Sequence, residues 1–198
     1  MVILDYALGN VFSLCVAFKR LAVDVEVSSD GRALKECDAI VLPGVGSFPA
    51  AMRRIGPVQW LLEEMMSEKP MLGICLGLQL FFESSVEGGV RTKGLGFIKG
   101  EVVELPSGVK KPHMGWNTVT RVADSVLLGD MDGAYFYFAH SYYARAEEPG
   151  VVKAVTMYGA TIPSVVESGA LLGTQFHPEK SGANGRRVLA NFLEFVRR

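Results

Sequence analysis

Three short segments in the first half of the chain, residues 1–4, 39–42 and 71–74, are almost entirely apolar. A strand without a polar face is buried on both sides, and such strands belong to parallel sheets that are covered by helices. The segment at residues 10–20 lies between the first two and carries apolar side chains at helical spacing. These segments therefore predict an α/β fold with a central, mostly parallel sheet and flanking helices.

Further elements extend this pattern along the chain. Residues 23–27 alternate as a second strand, and residues 50–67 have helical spacing with a break at Gly56-Pro57, so the first half has the predicted order β-α-β-β-α-β-α. Residues 184–198 predict a final helix. The second half has short strand candidates separated by turn residues, and some should be antiparallel additions to the sheet. These candidates are VVELP, WNTVTRV, AYFYFAHSYYA, VVKAVTMYG, IPSVVES and LLGTQF.

Composition excludes several classes of protein. The chain has 198 residues, of which 49% are hydrophobic and 21% charged, and we expect one domain over residues 1–198 without a spanning helix. The opening MVILDY reads as a strand and lacks the features of a secretory signal, which favours a cytoplasmic location. A net charge of −1 argues against general nucleic-acid binding. Three widely spaced cysteines predict no disulfide framework or structural metal, and we expect no cofactor.

The stretch GICLG places Cys75 between two glycines, directly after the apolar segment at residues 71–74. Small residues two positions either side of a nucleophile are typical of a sharp strand-to-helix turn that exposes the central side chain. The N-terminus of the following helix would stabilise a thiolate there. The motif alone also fits a small buried cysteine. Cys15 and Cys37 lack such flanks and are expected to be inert.

A thiol nucleophile needs a base, and the chain has three histidines, His113, His140 and His177. His177 is the strongest candidate because Glu179 follows two residues later. In an extended segment both side chains would lie on one side, so that Glu179 could orient the imidazole. A loop histidine beside a surface glutamate is the alternative.

A second glycine loop, PGVGSF at residues 43–48, also ends an apolar strand and should meet Cys75 at the same sheet edge. Backbone N–H groups of this loop, together with that of Leu76, could stabilise an oxyanion. A phosphate-binding turn is disfavoured because the loop lacks the third glycine of G-x-G-x-x-G, and no G-x-x-x-x-G-K-[ST] occurs.

Four motifs in this order, PGVGSF, GICLGLQ, FAHSY and QFHPEKS, resemble those of the class I glutamine amidotransferases. The resemblance implies a flavodoxin-like fold, a Cys75 nucleophile, a His177 proton shuttle and an orienting Glu179. It further implies that glutamine is hydrolysed through a glutamyl thioester. The oxyanion donors would come from Leu76 and the loop of Gly44, Val45 and Gly46. Substrate contacts would come from Gln79, Glu87, Ser141 and Tyr142.

Further motifs are similar to those of the glutaminase subunits of imidazole glycerol phosphate synthase, an enzyme of histidine biosynthesis. They are DY-x-x-GN, KGLGFIKG and HMGWN. The resemblance implies a heterodimer with a (β/α)8-barrel cyclase subunit, which receives ammonia and makes imidazole glycerol phosphate and AICAR. It also implies that the PGVG loop becomes competent only when the partner holds its ligand. The expected interface residues are Asn10, Trp116, Asn117 and Tyr137.

Other interpretations stay open at this point. The glutaminase of pyridoxal phosphate synthase is one, although such subunits usually carry PGG where this chain has PGVG. A catalytically idle domain on the same scaffold is another. Trp116 could be a packing residue and Gln79 a helix-surface residue. Ala7 stands where the family tends to have glycine, so the first loop departs from the family pattern at this position.

Overall fold

The fold comes from a computed structural model, and the structure describes residues 1–6, 11–44 and 46–198. The helices are α1 Phe12–Lys19, α2 Gly31–Glu36, α3 Phe48–Ile55, α4 Gln59–Met65, α5 Leu76–Leu80 and α6 Gly182–Val196. The strands are β1 Val2–Leu4, β2 Glu26–Ser28, β3 Ile40–Leu42, β4 Met71–Ile74, β5 Phe82–Ser85, β6 Thr92–Lys93, β7 Ile98–Glu104, β8 His113–Arg121, β9 Ala134–His140, β10 Tyr142–Ala146, β11 Val152–Met157, β12 Thr161–Ser168 and β13 Leu171–Thr174. Within these ranges no helix has both the length and the apolarity needed to cross a membrane.

The described strands form a large mixed sheet in the order β2-β1-β3-β4-β13-β12-β11-β8-β9. The strands from β2 to β13 pair in parallel, and β12, β11, β8 and β9 extend the sheet in antiparallel fashion. This arrangement confirms the predicted α/β fold with antiparallel additions from the second half. The carboxyl ends of β3, β4 and β13 lie side by side, so the segments that follow these strands meet at one edge.

Alternate residues of the parallel strands enter two separate hydrophobic clusters, one on each face of the sheet. In β1, Val2 and Leu4 belong to one cluster and Ile3 to the other, and β3 divides its side chains in the same way. The amphipathic α6 packs Val188 and Phe192 into the cluster that contains Ile3. Burial on both faces explains why the parallel strands lack a polar face.

The structure differs from the predicted order of elements near residue 30. The second strand is β2 rather than residues 23–27, because its parallel register with β1 begins at Glu26, while Val23 packs against the core from a loop. A short helix, α2, then precedes β3. Asp30 caps α2 by accepting a hydrogen bond from the backbone N–H of Arg32 (3.0 Å). With six residues, α2 is too short to show a clear apolar stripe.

The stretch AYFYFAHSYYA forms two strands in different sheets. Ser141 separates β9, at the end of the large sheet, from β10, which belongs to a four-stranded sheet in the order β10-β7-β5-β6. The backbone N–H of Leu105 donates to the Ser141 carbonyl oxygen (2.9 Å) at this break. Ser141 and Tyr142 thereby lie at the junction of the two sheets.

A buried carboxylate holds the turn that follows β8. Glu167 of β12 is 8% exposed and accepts hydrogen bonds from the Ser125 hydroxyl (2.7 Å) and from the backbone N–H groups of Val126 and Leu127 (both 2.9 Å). These donors seat Leu127 and its neighbour in the core. The carboxylate therefore satisfies three donors in a buried or half-buried turn.

Glu167→Ala should lower the free energy of unfolding by about 3 kcal/mol, because it leaves buried donors without an acceptor. Denaturant titration measures the loss, and Glu194→Ala on the exposed side of α6 is the control, with an expected change within about 0.5 kcal/mol. Equal stability of the two variants would contradict this role of Glu167.

Candidate active site

Cys75 sits on a strained turn between β4 and α5. Its φ of +51° lies in the left-handed region, which residues with a side chain rarely adopt, and its backbone N–H donates to the Thr174 carbonyl oxygen (2.7 Å). Strain of this kind costs on the order of 1–3 kcal/mol and occurs at functional sites. The sharp strand-to-helix turn predicted from GICLG is present in the structure.

The glycines around Cys75 permit close approach of neighbouring backbones. A Cβ atom at Gly73 would lie 2.6 Å from the backbone nitrogen of Leu78, and one at Gly77 would overlap the Leu42 carbonyl oxygen. In the second glycine loop, a Cβ at Gly44 would lie 2.7 Å from the Cβ of Cys75. The two glycine loops therefore pack against each other at the expected edge of the sheet.

His177 and Glu179 follow β13 at this same edge. The imidazole Nδ1–H donates to a Glu179 carboxylate oxygen (2.8 Å), and both side chains are at least nine-tenths buried. The predicted contact is present, but its geometry differs from the extended segment expected, because Pro178–Lys180 forms a 3-10 turn that folds Glu179 back. The backbone N–H of His177 donates to the Tyr137 carbonyl oxygen (2.9 Å) and anchors the loop to β9.

The electrostatics of the site favour a charged His177. Burial opposes the charge, but the negative charge of the Cys75 sulfur, its hydrogen bond and the Glu179 carboxylate together raise the pKa of His177 to about 10. At neutral pH the imidazolium is thus flanked by a sulfur and a carboxylate. This arrangement suits proton transfer to and from a group that is bound at Cys75.

A cavity of about 410 Å³ opens over Cys75, within the range typical of small-molecule sites. The residues that line it are Gly44, Gly46, Cys75, Leu76, Gln79, Glu87, Pro112, Ala139, His140, Ser141, Tyr142, His177 and Lys180. The structure thus brings Cys75, His177 and the expected substrate contacts into one cavity. Val45, an expected oxyanion donor, lies outside the described residues.

Two of the expected substrate contacts are engaged with the protein itself. The Gln79 side chain is 3% exposed, so it is not a helix-surface residue, and its amide donates to the Tyr142 carbonyl oxygen (2.7 Å). A Glu87 carboxylate oxygen accepts from the backbone N–H of Phe48 (2.7 Å), at the start of α3. Glu87 therefore ties the second glycine loop to the rim of the cavity.

The expected interface residues do not lie on one surface. Trp116 of β8 is 56% exposed and packs edge-on against Tyr137 of β9, with ring centroids 6.2 Å apart. Asn117 is the next residue in β8 and points to the opposite face, where it contacts His113 (3.3 Å). Trp116 is therefore not a core residue, and Asn10 lies outside the described residues.

Exposed side chains near Trp116 extend this surface, which we call the β8–β9 face. It comprises Met114 and Trp116 of β8 with Tyr135 and Tyr137 of β9, and all but Tyr137 are more than half exposed. The ammonium group of Lys180 lies 5.9 Å from the Tyr137 ring centroid, and Lys180 also lines the cavity. The β8–β9 face thus borders the mouth of the cavity. Met114 and Tyr135 were not predicted from the sequence as part of this face. The alternation of large apolar and other residues in HMGWN and AYFY is the signal that could have indicated them.

The other two histidines form a buried pair. The His113 Nδ1 and His140 Nε2 atoms are 3.0 Å apart, and the His113 ring stacks on Phe138 and Tyr158 at 4.7 and 3.9 Å between centroids. Burial lowers the pKa of His113 to about 4 and that of His140 to about 3. Both rings are neutral at physiological pH, which leaves His177 as the basic residue next to Cys75.

This charge distribution predicts a distinctive NMR titration. The chain has three histidines. From pH 8 to 5.5, two imidazole Hε1 signals should keep the chemical shift of a neutral ring, while the signal that is lost in His177→Asn should report a protonated ring.

The same pKa values predict how the free energy of unfolding depends on pH. Below the unfolded-state pKa of about 6.5, the unfolded chain binds protons that folded His113 and His140 do not. As the pH falls from 6.5 towards their folded pKa values, the free energy of unfolding therefore falls by about 1.4 kcal/mol per pH unit for each ring. His177 has the opposite effect: its raised pKa adds to the free energy of unfolding below pH 6.5, and this contribution is lost as the pH rises from about 6.5 to 10. A midpoint near 6.5 for the buried pair would contradict this assignment.

Sequence reasoning also missed two buried contacts of the site. The Tyr6 hydroxyl donates to the Pro43 carbonyl oxygen, and burial raises its pKa well above the ordinary value of a phenol. The Gln175 amide nitrogen lies 3.5 Å from the Cys75 sulfur. Both residues belong to motifs, DY and QFHPE, in which functions were assigned from the sequence only to other residues. Among the described residues, no group of His, Cys, Asp and Glu could hold a metal ion.

Comparison with known proteins assigns the chain to a family. The family profile described as "Glutamine amidotransferase class-I" matches residues 2–195. The chain belongs to the class I glutamine amidotransferases. Among solved structures, one titled "Crystal structure of glutamine amidotransferase" aligns with a TM-score of 0.78 at 19% identity over 100% of this chain and 99% of that one. At this identity the likeness concerns the fold alone.

Curated relatives indicate which members of the family this chain resembles. The protein named "Imidazole glycerol phosphate synthase subunit HisH" in Methanothermobacter thermautotrophicus is 48% identical over 98% of each chain. Its counterpart of the same name in Halobacterium salinarum is 45% identical over 98% of this chain and 93% of the relative. The resemblance to the imidazole glycerol phosphate synthase subunits is thereby confirmed.

Proposed function

We propose that this class I glutamine amidotransferase is the glutaminase subunit of an imidazole glycerol phosphate synthase. The observation that carries the proposal is Cys75 on its strained turn, within one cavity with His177, whose ring is held by Glu179. A nucleophile, a base and an orienting carboxylate in this order of contact are what acyl transfer requires. The relatives named HisH support the choice of synthase.

The reaction starts when the Cys75 thiolate attacks the side-chain amide carbon of glutamine and forms the C–S bond. The resulting oxyanion is stabilised by the backbone N–H of Leu76 and by N–H groups of the Gly44–Gly46 loop. The His177 imidazolium then gives its proton to the leaving nitrogen, so that ammonia departs and a glutamyl thioester remains. Glu179 stabilises the imidazole while it is charged and keeps its orientation when it is neutral.

The second half of the reaction returns the enzyme to its starting state. Water attacks the thioester carbonyl while neutral His177 takes a proton from it, which regenerates the imidazolium. The C–S bond breaks, glutamate leaves, and Cys75 is again a thiolate. Atoms balance as glutamine plus water giving glutamate plus ammonia, and no cofactor takes part.

The chemistry of ammonia gives a reason for a partner subunit, and the β8–β9 face provides a surface to bind it. Ammonia is mostly protonated in neutral water and is then no nucleophile, so a glutaminase must pass it on directly. The β8–β9 face offers exposed aromatic residues beside the cavity, and aromatic residues are enriched at interfaces. We assign this face to a (β/α)8-barrel cyclase subunit, with Trp116 and Tyr137 as anchors.

The proposal is tested by glutaminase and product assays of the chain with candidate partners. With a cyclase subunit and its nucleotide ligand, glutamine should support formation of imidazole glycerol phosphate, and glutamine hydrolysis should exceed that of the isolated chain. The synthase barrel of pyridoxal phosphate synthesis is the comparison partner and should yield no product. Hydrolysis that is equally fast in the isolated chain would contradict partner control of the glycine loop.

Trp116→Ala should weaken binding of the cyclase subunit by at least about 30-fold, because truncation of a central aromatic anchor costs about 2 kcal/mol or more. Isothermal titration calorimetry measures the change. The control is Trp60→Ala on α4. Trp60 is the other of the two tryptophans in the chain, and its exposed fraction of 58% is close to the 56% of Trp116. A loss of affinity in Trp60→Ala equal to that in Trp116→Ala would contradict the assignment of the β8–β9 face.

A further inference from the structure

The backbone carbonyl of Tyr142 accepts hydrogen bonds from two buried side chains. The His140 Nδ1 atom lies 2.9 Å and the Gln79 amide nitrogen 2.7 Å from its oxygen. Because a carbonyl oxygen can only accept, both neighbours must donate. This one backbone atom therefore fixes the tautomer of His140 and the orientation of the Gln79 amide.

One arm of this network leads from Gln79 to the nucleophile. The Gln79 amide nitrogen also donates to the Gln175 side-chain oxygen (3.2 Å), so the Gln175 amide nitrogen is the end that faces the Cys75 sulfur, at 3.5 Å. Gln175 is fully buried, and its backbone N–H donates to the Ser164 carbonyl oxygen (2.9 Å). The Gln175 amide thus has little freedom to turn around.

The other arm leads from the same carbonyl through His140 to His113. Since His140 donates through Nδ1, its Nε2 accepts from the Nδ1–H of His113 (3.0 Å). The remaining His113 nitrogen, Nε2, then accepts from the Asn117 amide (3.3 Å). Every donor in this arm meets an acceptor, and stacking on Phe138 and Tyr158 immobilises the His113 ring. Satisfied buried networks of this kind hold a unique geometry.

The sulfur of Cys75 has two neutral polar neighbours with opposite effects. The Ala139 carbonyl oxygen, 3.7 Å away, can accept a proton from the thiol and so favours the S–H form. The N–H of Gln175 has the opposite preference, since a donor stabilises the anion. The orientation of the Gln175 amide therefore bears on which form of the sulfur the site supports.

We propose that Gln175 is a further catalytic residue, whose amide N–H holds the Cys75 sulfur as a thiolate in an orientation set by Gln79 and the Tyr142 carbonyl. The inference deepens the proposed glutaminase function, and Gln175 is a catalytic residue only if that proposed function holds. Gln79 has a positioning role here in addition to any contact with substrate. His140 and His113 are positioning residues that act on the carbonyl.

The test measures how the alkylation rate of Cys75 by iodoacetamide depends on pH, followed by mass spectrometry of the Cys75 peptide. Gln175→Glu keeps the acceptor for Gln79 but replaces the donor at the sulfur with a carboxylate. The pH midpoint of alkylation should rise by about one unit or more, a tenfold loss of thiolate at pH below the midpoint. Gln175→Met, which keeps the volume and removes the donor, should give a smaller rise in the same direction.

Gln59→Glu makes the same chemical change on α4, away from the cavity, and should leave the midpoint unchanged. A midpoint of Gln175→Met within about 0.2 units of wild type would overturn the inference, because a new carboxylate beside the sulfur raises the midpoint whether or not the wild-type Gln175 N–H is a donor. Because alkylation requires no glutamine, the two proposals can fail separately. A raised midpoint in Gln175→Met, together with a wild-type chain that hydrolyses no glutamine beside its cyclase partner, would reject the proposed function and leave the thiolate contact standing.

Discussion

Cys75→Ala should reduce glutamine hydrolysis by a factor of about 1,000 or more, because it removes the atom that forms the thioester in the proposed mechanism. The assay measures glutamate release by the chain in the presence of a cyclase subunit and its nucleotide ligand. Alanine is smaller than cysteine and fits the turn, which is already held by the Thr174 carbonyl oxygen. The variant should therefore fold and still bind the partner.

Cys15→Ala is the control for this substitution. Cys15 is half-buried on α1, away from the residues that line the cavity, and the change should leave hydrolysis within about twofold of wild type. Hydrolysis that survives in Cys75→Ala under every condition would show that the thioester route is wrong.

His177→Asn should lower the rate of hydrolysis by a factor of about 100 to 10,000, the usual contribution of a positioned acid and base. Asparagine retains a polar side chain at the cavity but transfers no proton near neutral pH. Steady-state kinetics should show the loss in kcat, with KM changed much less, because in the proposed mechanism the ring takes part in the chemical steps.

Glu179→Gln separates orientation from proton transfer. Loss of the carboxylate removes one source of stabilisation of the imidazolium, so the pKa of His177 should fall below its wild-type value and kcat should fall less than in His177→Asn. NMR titration of the His177 ring measures the shift. An unchanged His177 titration in Glu179→Gln would contradict the assigned contact.

The parts of the site that could be predicted from sequence are those with local causes. The turn at Cys75 follows from small residues at Gly73 and Gly77, which the backbone contacts of the turn require. His177 and Glu179 are two residues apart, so the chain itself keeps them close, and their contact forms in the 3-10 turn. The glycine loop at Gly44 met Cys75 because both follow parallel strands.

The parts that could not be predicted depend on pairing between distant segments. The register of β8 and β9 places His113 opposite His140, and nothing in the spacing of these two residues indicates this contact. The break at Ser141, which brings Tyr142 to the cavity, depends on β10 pairing with β7 rather than continuing β9. Gln175 reaches the sulfur only because β13 lies beside β4.

The central claim is that Cys75 attacks glutamine, and labelling with a chloroketone analogue of glutamine tests it most directly. With the cyclase partner present, mass spectrometry should find one label per chain, on Cys75 rather than Cys15 or Cys37, and free glutamine should slow its formation. A catalytically idle domain would not react in this way. Labelling of another cysteine, or labelling of Cys75 that glutamine does not slow, would contradict the account.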